Sequence, residues 1–170
     1  SGTILSGGWP QRLWDIRQHH QFIGDSGGYG VGYGAPASLG AALAHRPHGR
    51  FVVNVQADGD LMYGPGALWT AAHHGVPYLS VMHNNRGYHQ EVMHLQRMTL
   101  RRQRGGRPAA EIGNTFDEPR IDYAQLAASM GVWSSGPVTN PADLSGVLTR
   151  AAQVVDSGEP ALVDVRCQPR

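Results

Sequence analysis

Charge is scarce in this chain. Asp, Glu, Lys and Arg make up 16% of its 170 residues, and they nearly cancel, leaving a formal net charge of +1. That balance argues against nucleic acid or a membrane surface as the main partner. A single cysteine, Cys167, excludes an internal disulfide framework and fits a reducing, cytoplasmic compartment. No apolar run approaches the ~18 residues of a membrane span, and no secretory leader is visible. The chain opens on Ser1 rather than Met, as a fragment or a processed piece would. What remains is a chain with 41% apolar residues, long enough for one domain with a real core. So few charges leave much of its surface neutral or covered by partners. It has 23 glycines, many of them near expected strand ends rather than in a repeat. That distribution suits close approach of backbone to a ligand.

One stretch organises the rest. Phe51-Val52-Val53-Asn54-Val55 and Val76-Pro77-Tyr78-Leu79-Ser80-Val81-Met82 are short apolar runs. Each stops at a polar tip, Ala57-Asp58-Gly59-Asp60 after the first and Asn84-Asn85-Arg86-Gly87 after the second. Runs of this length read as buried parallel strands. Between them, 66–74 has the length and composition of a crossover helix. The resulting β-α-β unit sets both tips at the carboxyl edge of one sheet, where open α/β sheets bind ligands.

The tips carry matching chemistry. Asp58 offers an anionic oxygen, Asn85 a neutral one, and the Gly87 carbonyl a third. A small oxygen-only set suits Mg²⁺, which takes its remaining ligands from water and substrate phosphates. Gly59 and Gly87 admit a bulky anion close to the backbone, and the amides of Tyr88 and His89 open the next helix, where a phosphate would sit. On residue types alone a metal-bridged diphosphate site and a pair of ordinary strand-end turns remain equally open.

Asp58-Gly59-Asp60, followed by Asn84-Asn85 with 24 residues between Gly59 and Asn84, resembles the cofactor motif of thiamine diphosphate enzymes, Gly-Asp-Gly and then Asn-Asn. Ala57 stands where that motif has its first glycine. The continuation past Gly87 is similar to the acetolactate synthase and 2-keto acid decarboxylase branch, and the likeness runs over essentially the whole chain. The resemblance implies that Asp58, Asn85 and the Gly87 carbonyl hold Mg²⁺ and that Mg²⁺ holds the diphosphate, with Gly59, Asp60, Tyr88 and His89 around it.

The rest of the chain is read in that light. Residues 1–20 form an N-terminal arm, with a short helix from Pro10 to Ile16, and 21–170 the domain proper. In related enzymes a Gln-His pair in the arm contacts the diphosphate; Pro10 and Gln11 match it here, and Gln11 keeps the polar reach. Gln21-Phe22-Ile23 reads as a strand running into the glycine-rich loop 24–34. By resemblance the Tyr29 carbonyl and Gly30 lie beside the aminopyrimidine, and Val31 occupies the position that props the cofactor in its bent shape. A helix from Pro36 to His45 follows. Beyond the central unit come a helix over 88–100 and the basic, glycine-rich stretch 100–120, expected as a flexible loop that solvates, contacts a subunit or closes as a lid. Asp122 caps a helix over 123–130, and 132–135 is a strand. Asn140 caps an amphipathic helix that Gly158 ends, and 160–165 is a last buried strand. Five β-α repeats predict an open, mostly parallel α/β sheet with helices on both faces. The histidines offer no zinc-ligand spacing.

The family's hard chemistry belongs to the cofactor, an electron sink when a 2-keto acid loses CO₂. The resemblance therefore implies part of a decarboxylase or carboligase, inactive by itself. The activating glutamate would come from a separate pyrimidine-binding domain or subunit, within a homo-oligomer. The choice of keto acid and any FAD requirement stay open. The alternative is a non-catalytic nucleotide- or flavin-binding module.

Overall fold

The computed structural model describes residues 12–24, 32–104 and 107–168. The residues expected to act at 11 and 29–31, Gln11, Tyr29, Gly30 and Val31, lie outside that set. Four strands form one all-parallel sheet: β1 Val53–Ala57, β2 Leu79–Asn84, β3 Trp133–Val138 and β4 Ala161–Arg166, in the spatial order β1-β2-β4-β3. The helices are α1 Gly34–His45, the single turn α2 Asp58–Leu61, α3 Gly66–His73, α4 His89–Arg101, the short α5 Arg107–Glu111, α6 Tyr123–Ser129 and α7 Pro141–Asp156.

The central strands β2 and β4 are largely buried on both faces, as their apolar sequences require. Alternation splits the sheet cleanly. Met82 and Leu162 pack with Leu61, Leu68, Tyr123 and Ala127 on one side. Leu79, Val81 and Val163 pack under Ala151, Val154 and Val155 of α7 on the other. Ala42, Val52, Ala71, Val76 and Tyr78 fill the space between α1 and α3. The expected caps form: Asp122 accepts from the Gln125 amide at 2.8 Å, and Asn140 from the Ala142 amide at 3.1 Å. Each satisfies a donor that the first helical turn leaves unpaired.

The strands sit a little later than the apolar runs that mark them. β2 starts at Leu79 because Pro77 has no N–H to give a ladder. β1 runs on through the polar Gln56, fully buried, because its side chain is paired: it donates to Asp60 at 2.8 Å and accepts from Asn54 at 2.9 Å.

Three expectations need correction. Residues 21–23 form no strand; Phe22 and Ile23 are exposed, and three residues supply too few ladder bonds to hold an edge position by themselves. The described residues thus carry four strands rather than five. In the arm, helical residues stop at Leu13 rather than Ile16. Finally, the stretch after α4 is not only loop. It contains α5, and 114–116 pairs back on the second polar tip: the Tyr88 amide donates to the Asn114 carbonyl at 2.8 Å and the Phe116 amide to the Arg86 carbonyl at 2.9 Å.

Candidate functional site

β1 and β2 run in register from Val53↔Leu79 to Ala57↔His83, so Asp58 and Asn84 are the next residues of the two strands at one edge. Asp58 opens α2 directly from the strand. The preceding Ala57 is extended, with φ −73° and ψ 142°. Alanine adopts that conformation without strain, which is why the glycine of the family motif is dispensable here.

The two tips are physically joined. The Asp58 carboxylate, 2% exposed, accepts from the Gly59 amide at 2.8 Å and from the Arg86 amide at 2.5 Å. Arg86 makes this possible by taking a left-handed backbone, φ 67°, which turns the chain sharply between Asn85 and Gly87. A non-glycine residue in that region is uncommon and is held there by its surroundings. Asn85 is buried, and its Oδ1 accepts from the Gly87 amide at 3.3 Å. Burial pushes the Asp58 carboxyl above the usual carboxylate range; the Gly59, Arg86 and Gly87 amides and the charge of His83 pull the other way. A buried carboxylate so placed gains from a cation beside it.

Both glycines are required by close approach. A Cβ at Gly59 would strike the Tyr88 ring, whose Cζ lies 2.8 Å from that position, and Phe116 Cε2 at 2.9 Å. A Cβ at Gly87 would strike the Asn114 carbonyl oxygen. The Tyr88 hydroxyl donates to the Gly59 carbonyl at 3.3 Å, and the ring meets Phe116 edge to face at 4.8 Å. Burial is the main reason the Tyr88 phenol is raised above its ordinary pKa, with Tyr63 adding to it.

Not every expected site residue faces the same task. The Tyr88 amide, expected to face a phosphate, is occupied by Asn114. The His89 ring pairs its Nε2 with the Asn85 carbonyl at 2.9 Å. A carbonyl only accepts, so Nε2 carries the proton and the ring braces the loop that holds Asn85. Asp60 is turned to the glycine-rich segment: its carboxylate accepts from the Gly32 amide at 2.6 Å, the Gly34 amide at 3.3 Å and Gln56 Nε2 at 2.8 Å. Glu91 and Glu111 are exposed.

Among the described residues no three His, Cys, Asp or Glu side chains are placed to share an ion. The joined tips instead offer one carboxylate, one amide oxygen and one carbonyl. That donor set fits a hard divalent cation with open positions better than zinc. The sequence reading missed Asn114 and Phe116, which lie in the stretch taken for loop, and the buried pair of Asn84 and Asp164. In that pair Asn84 Nδ2 donates to the two Asp164 oxygens at 2.9 and 3.2 Å.

Residues 5–165 match the family model described as the thiamine pyrophosphate enzyme, C-terminal TPP-binding domain. The chain belongs to that family. It is 31% identical over 139 residues to benzoylformate decarboxylase of Pseudomonas aeruginosa, covering 82% of this chain and 23% of that protein. It is 28% identical over 159 residues to the acetolactate synthase isozyme 1 large subunit of Escherichia coli, covering 93% of this chain and 25% of that one. Among solved structures it superposes on the thiamine diphosphate-dependent 4-hydroxybenzoylformate decarboxylase of Rhodococcus jostii RHA1 with a TM-score of 0.64 and 28% identity. That overlap covers 82% of this chain and 24% of the other. This TPP-binding domain therefore spans about a quarter of the length of the relatives it matches. No observation favours the nucleotide- or flavin-binding alternative. No helix of the described residues is long and apolar enough to cross a membrane.

Proposed function

We propose that this domain holds the diphosphate end of thiamine diphosphate through a magnesium ion bound by Asp58, Asn85 and the Gly87 carbonyl. It would serve an enzyme that decarboxylates or joins 2-keto acids. The single observation that carries the reading is the hydrogen bond of the Arg86 amide to Asp58, which fixes the two tips as one oxygen-lined corner.

The chain's own residues do three things in this reading. Asp58 supplies the one negative charge of the metal site, with a carboxyl that burial keeps ready to trade a proton for a cation. His89 and Asn114 brace the loop on either side of Gly87, so that its carbonyl and Asn85 stay in place. Gly59 leaves room for the Tyr88 ring and Phe116 to pack onto the first tip. The cofactor, when bound, supplies the electron sink for carbon–carbon bond cleavage or formation.

The activating carboxylate and the grip on the keto acid are assigned to a pyrimidine-binding domain or subunit in an intact homo-oligomer. The isolated chain is accordingly expected to bind cofactor and to turn over no substrate. Calorimetric titration with thiamine diphosphate tests this, with and without Mg²⁺. Binding that needs Mg²⁺ and weakens ~100-fold or more in Asp58→Ala supports the proposal. Binding of equal strength in the absence of any divalent cation, or in the variant, overturns it.

A further inference from the structure

A small cavity of about 10 Å³ lies beside the joined tips, lined by Asn84, Arg86, Phe116, Arg120, Ile121, Tyr123 and Arg166. Four of those residues each carry a buried side-chain polar atom with no hydrogen-bond partner: Asn84 Oδ1, Arg86 Nε, Tyr123 Oη and Arg166 Nε. Asn84 and Tyr123 are themselves 2% and 1% exposed. Buried polar atoms are rarely left without a partner, so four among the residues lining one space point to a common ligand.

The chemistry of the four atoms selects it. The two guanidinium Nε–H groups can only donate. Asn84 Oδ1 can only accept, and its orientation is fixed because Nδ2 is committed to Asp164. The phenol does either, and its own proton is held: burial first, then the charges of Asp58, Asp164 and Tyr88, raise the Tyr123 pKa. A cation would face two guanidinium groups. An anion would face the amide oxygen with the Asp164 carboxylate behind it. A water molecule accepts two hydrogen bonds and donates two, and the cavity has about the room that one water needs.

We propose that this cavity is an internal water site, in which one water accepts from Arg86 and Arg166 and donates to Asn84 and Tyr123. The site ties the loop that carries Asn85 and Gly87 to the end of β4 and the start of α6. It stands whether or not a metal binds at Asp58.

Crystals of the intact protein soaked in bromide, at a resolution that shows ordered solvent, test the assignment. The expected result is a single peak within hydrogen-bond distance of at least three of the four atoms, without anomalous signal. A bromide signal in the cavity, or side chains that pair directly and close it, overturns the proposal. In solution, ¹⁷O relaxation dispersion of the wild type and Tyr123→Phe gives a second readout. Loss of one of four hydrogen bonds should shorten the residence of one water about tenfold. A difference dispersion of zero between the two proteins overturns the assignment as well.

Discussion

The Asp58 carboxylate and the Arg86 amide meet at 2.5 Å, across the ends of two neighbouring parallel strands. This bond fuses what the sequence presents as two separate polar tips into one corner. It also sets the electrical character of the corner. The carboxyl is buried, and burial raises its pKa above the ordinary 3.8 despite the amides that oppose the shift.

That shift makes metal binding a competition with a proton. A raised carboxyl stays protonated to a higher pH than a free one, and the protonated form has no charge to offer Mg²⁺. Metal-supported cofactor affinity should therefore be flat above the raised Asp58 value. It should fall, by up to about tenfold per unit, as pH drops through the raised Asp58 value. Titrations in buffers of different ionisation enthalpy should show proton release that grows as pH is lowered. Affinity that stays constant down to about pH 4, the range of an unshifted carboxyl, would contradict the role given to this residue.

Much of this corner is legible in the sequence, because it depends on two short periodic runs and the residues that end them. Asp58, Asn85 and Gly87 are adjacent in space once β1 and β2 are parallel neighbours, and apolar patterning suffices for that. The roles of Tyr88, His89 and Asp60 are not legible. Which group the Tyr88 amide serves depends on Asn114, 26 residues on in a stretch with no periodicity. The His89 ring and the Asp60 carboxylate are claimed by nearby backbone, and only the path of the turn decides that. The strand expected over 21–23 fails because so short an apolar segment gives too few ladder bonds to decide its structure.

Gly59 and Tyr88 give a test of close approach. A methyl group at Gly59 overlaps the Tyr88 ring and presses on Phe116. Gly59→Ala should destabilise the domain by about 1–3 kcal/mol, the usual range for overpacking. Shortening the opposing side chain relieves the clash, so Tyr88→Leu combined with Gly59→Ala should recover part of the loss. Denaturant unfolding of the four proteins in this cycle gives the coupling directly. Strictly additive effects would show that the ring yields without resistance.

Asp60 anchors the start of α1 to the first tip. Three donors converge on its carboxylate, from Gly32, Gly34 and Gln56. A Cβ at Gly34 would lie 2.5 Å from Gln56 Oε1, so the chain is drawn in tightly here. Asp60→Asn has one acceptor oxygen for three donors, and a buried N–H is left over. The expected loss is about 1–3 kcal/mol in unfolding free energy. A change below about 0.5 kcal/mol, the scatter of ordinary surface substitutions, would mean that water replaces the lost oxygen.

Asp164 predicts a pH dependence that no ligand is needed to see. Its carboxyl is 1% exposed, and burial raises its pKa, opposed by the Asn84 hydrogen bond and the charge of Arg166. For a carboxyl raised on folding, the favourable contribution is complete below its unfolded value and is lost as pH rises through the folded one. Asp164→Asn removes that titration and keeps one oxygen for Asn84 Nδ2. The stability of the variant relative to the wild type should therefore climb as pH rises from about 4, the ordinary carboxylate range, through the raised Asp164 value, measured as the difference in denaturation midpoints. A difference that is level across this interval, or that runs the other way, would show that Asn84 and Arg166 outweigh the burial of the charge.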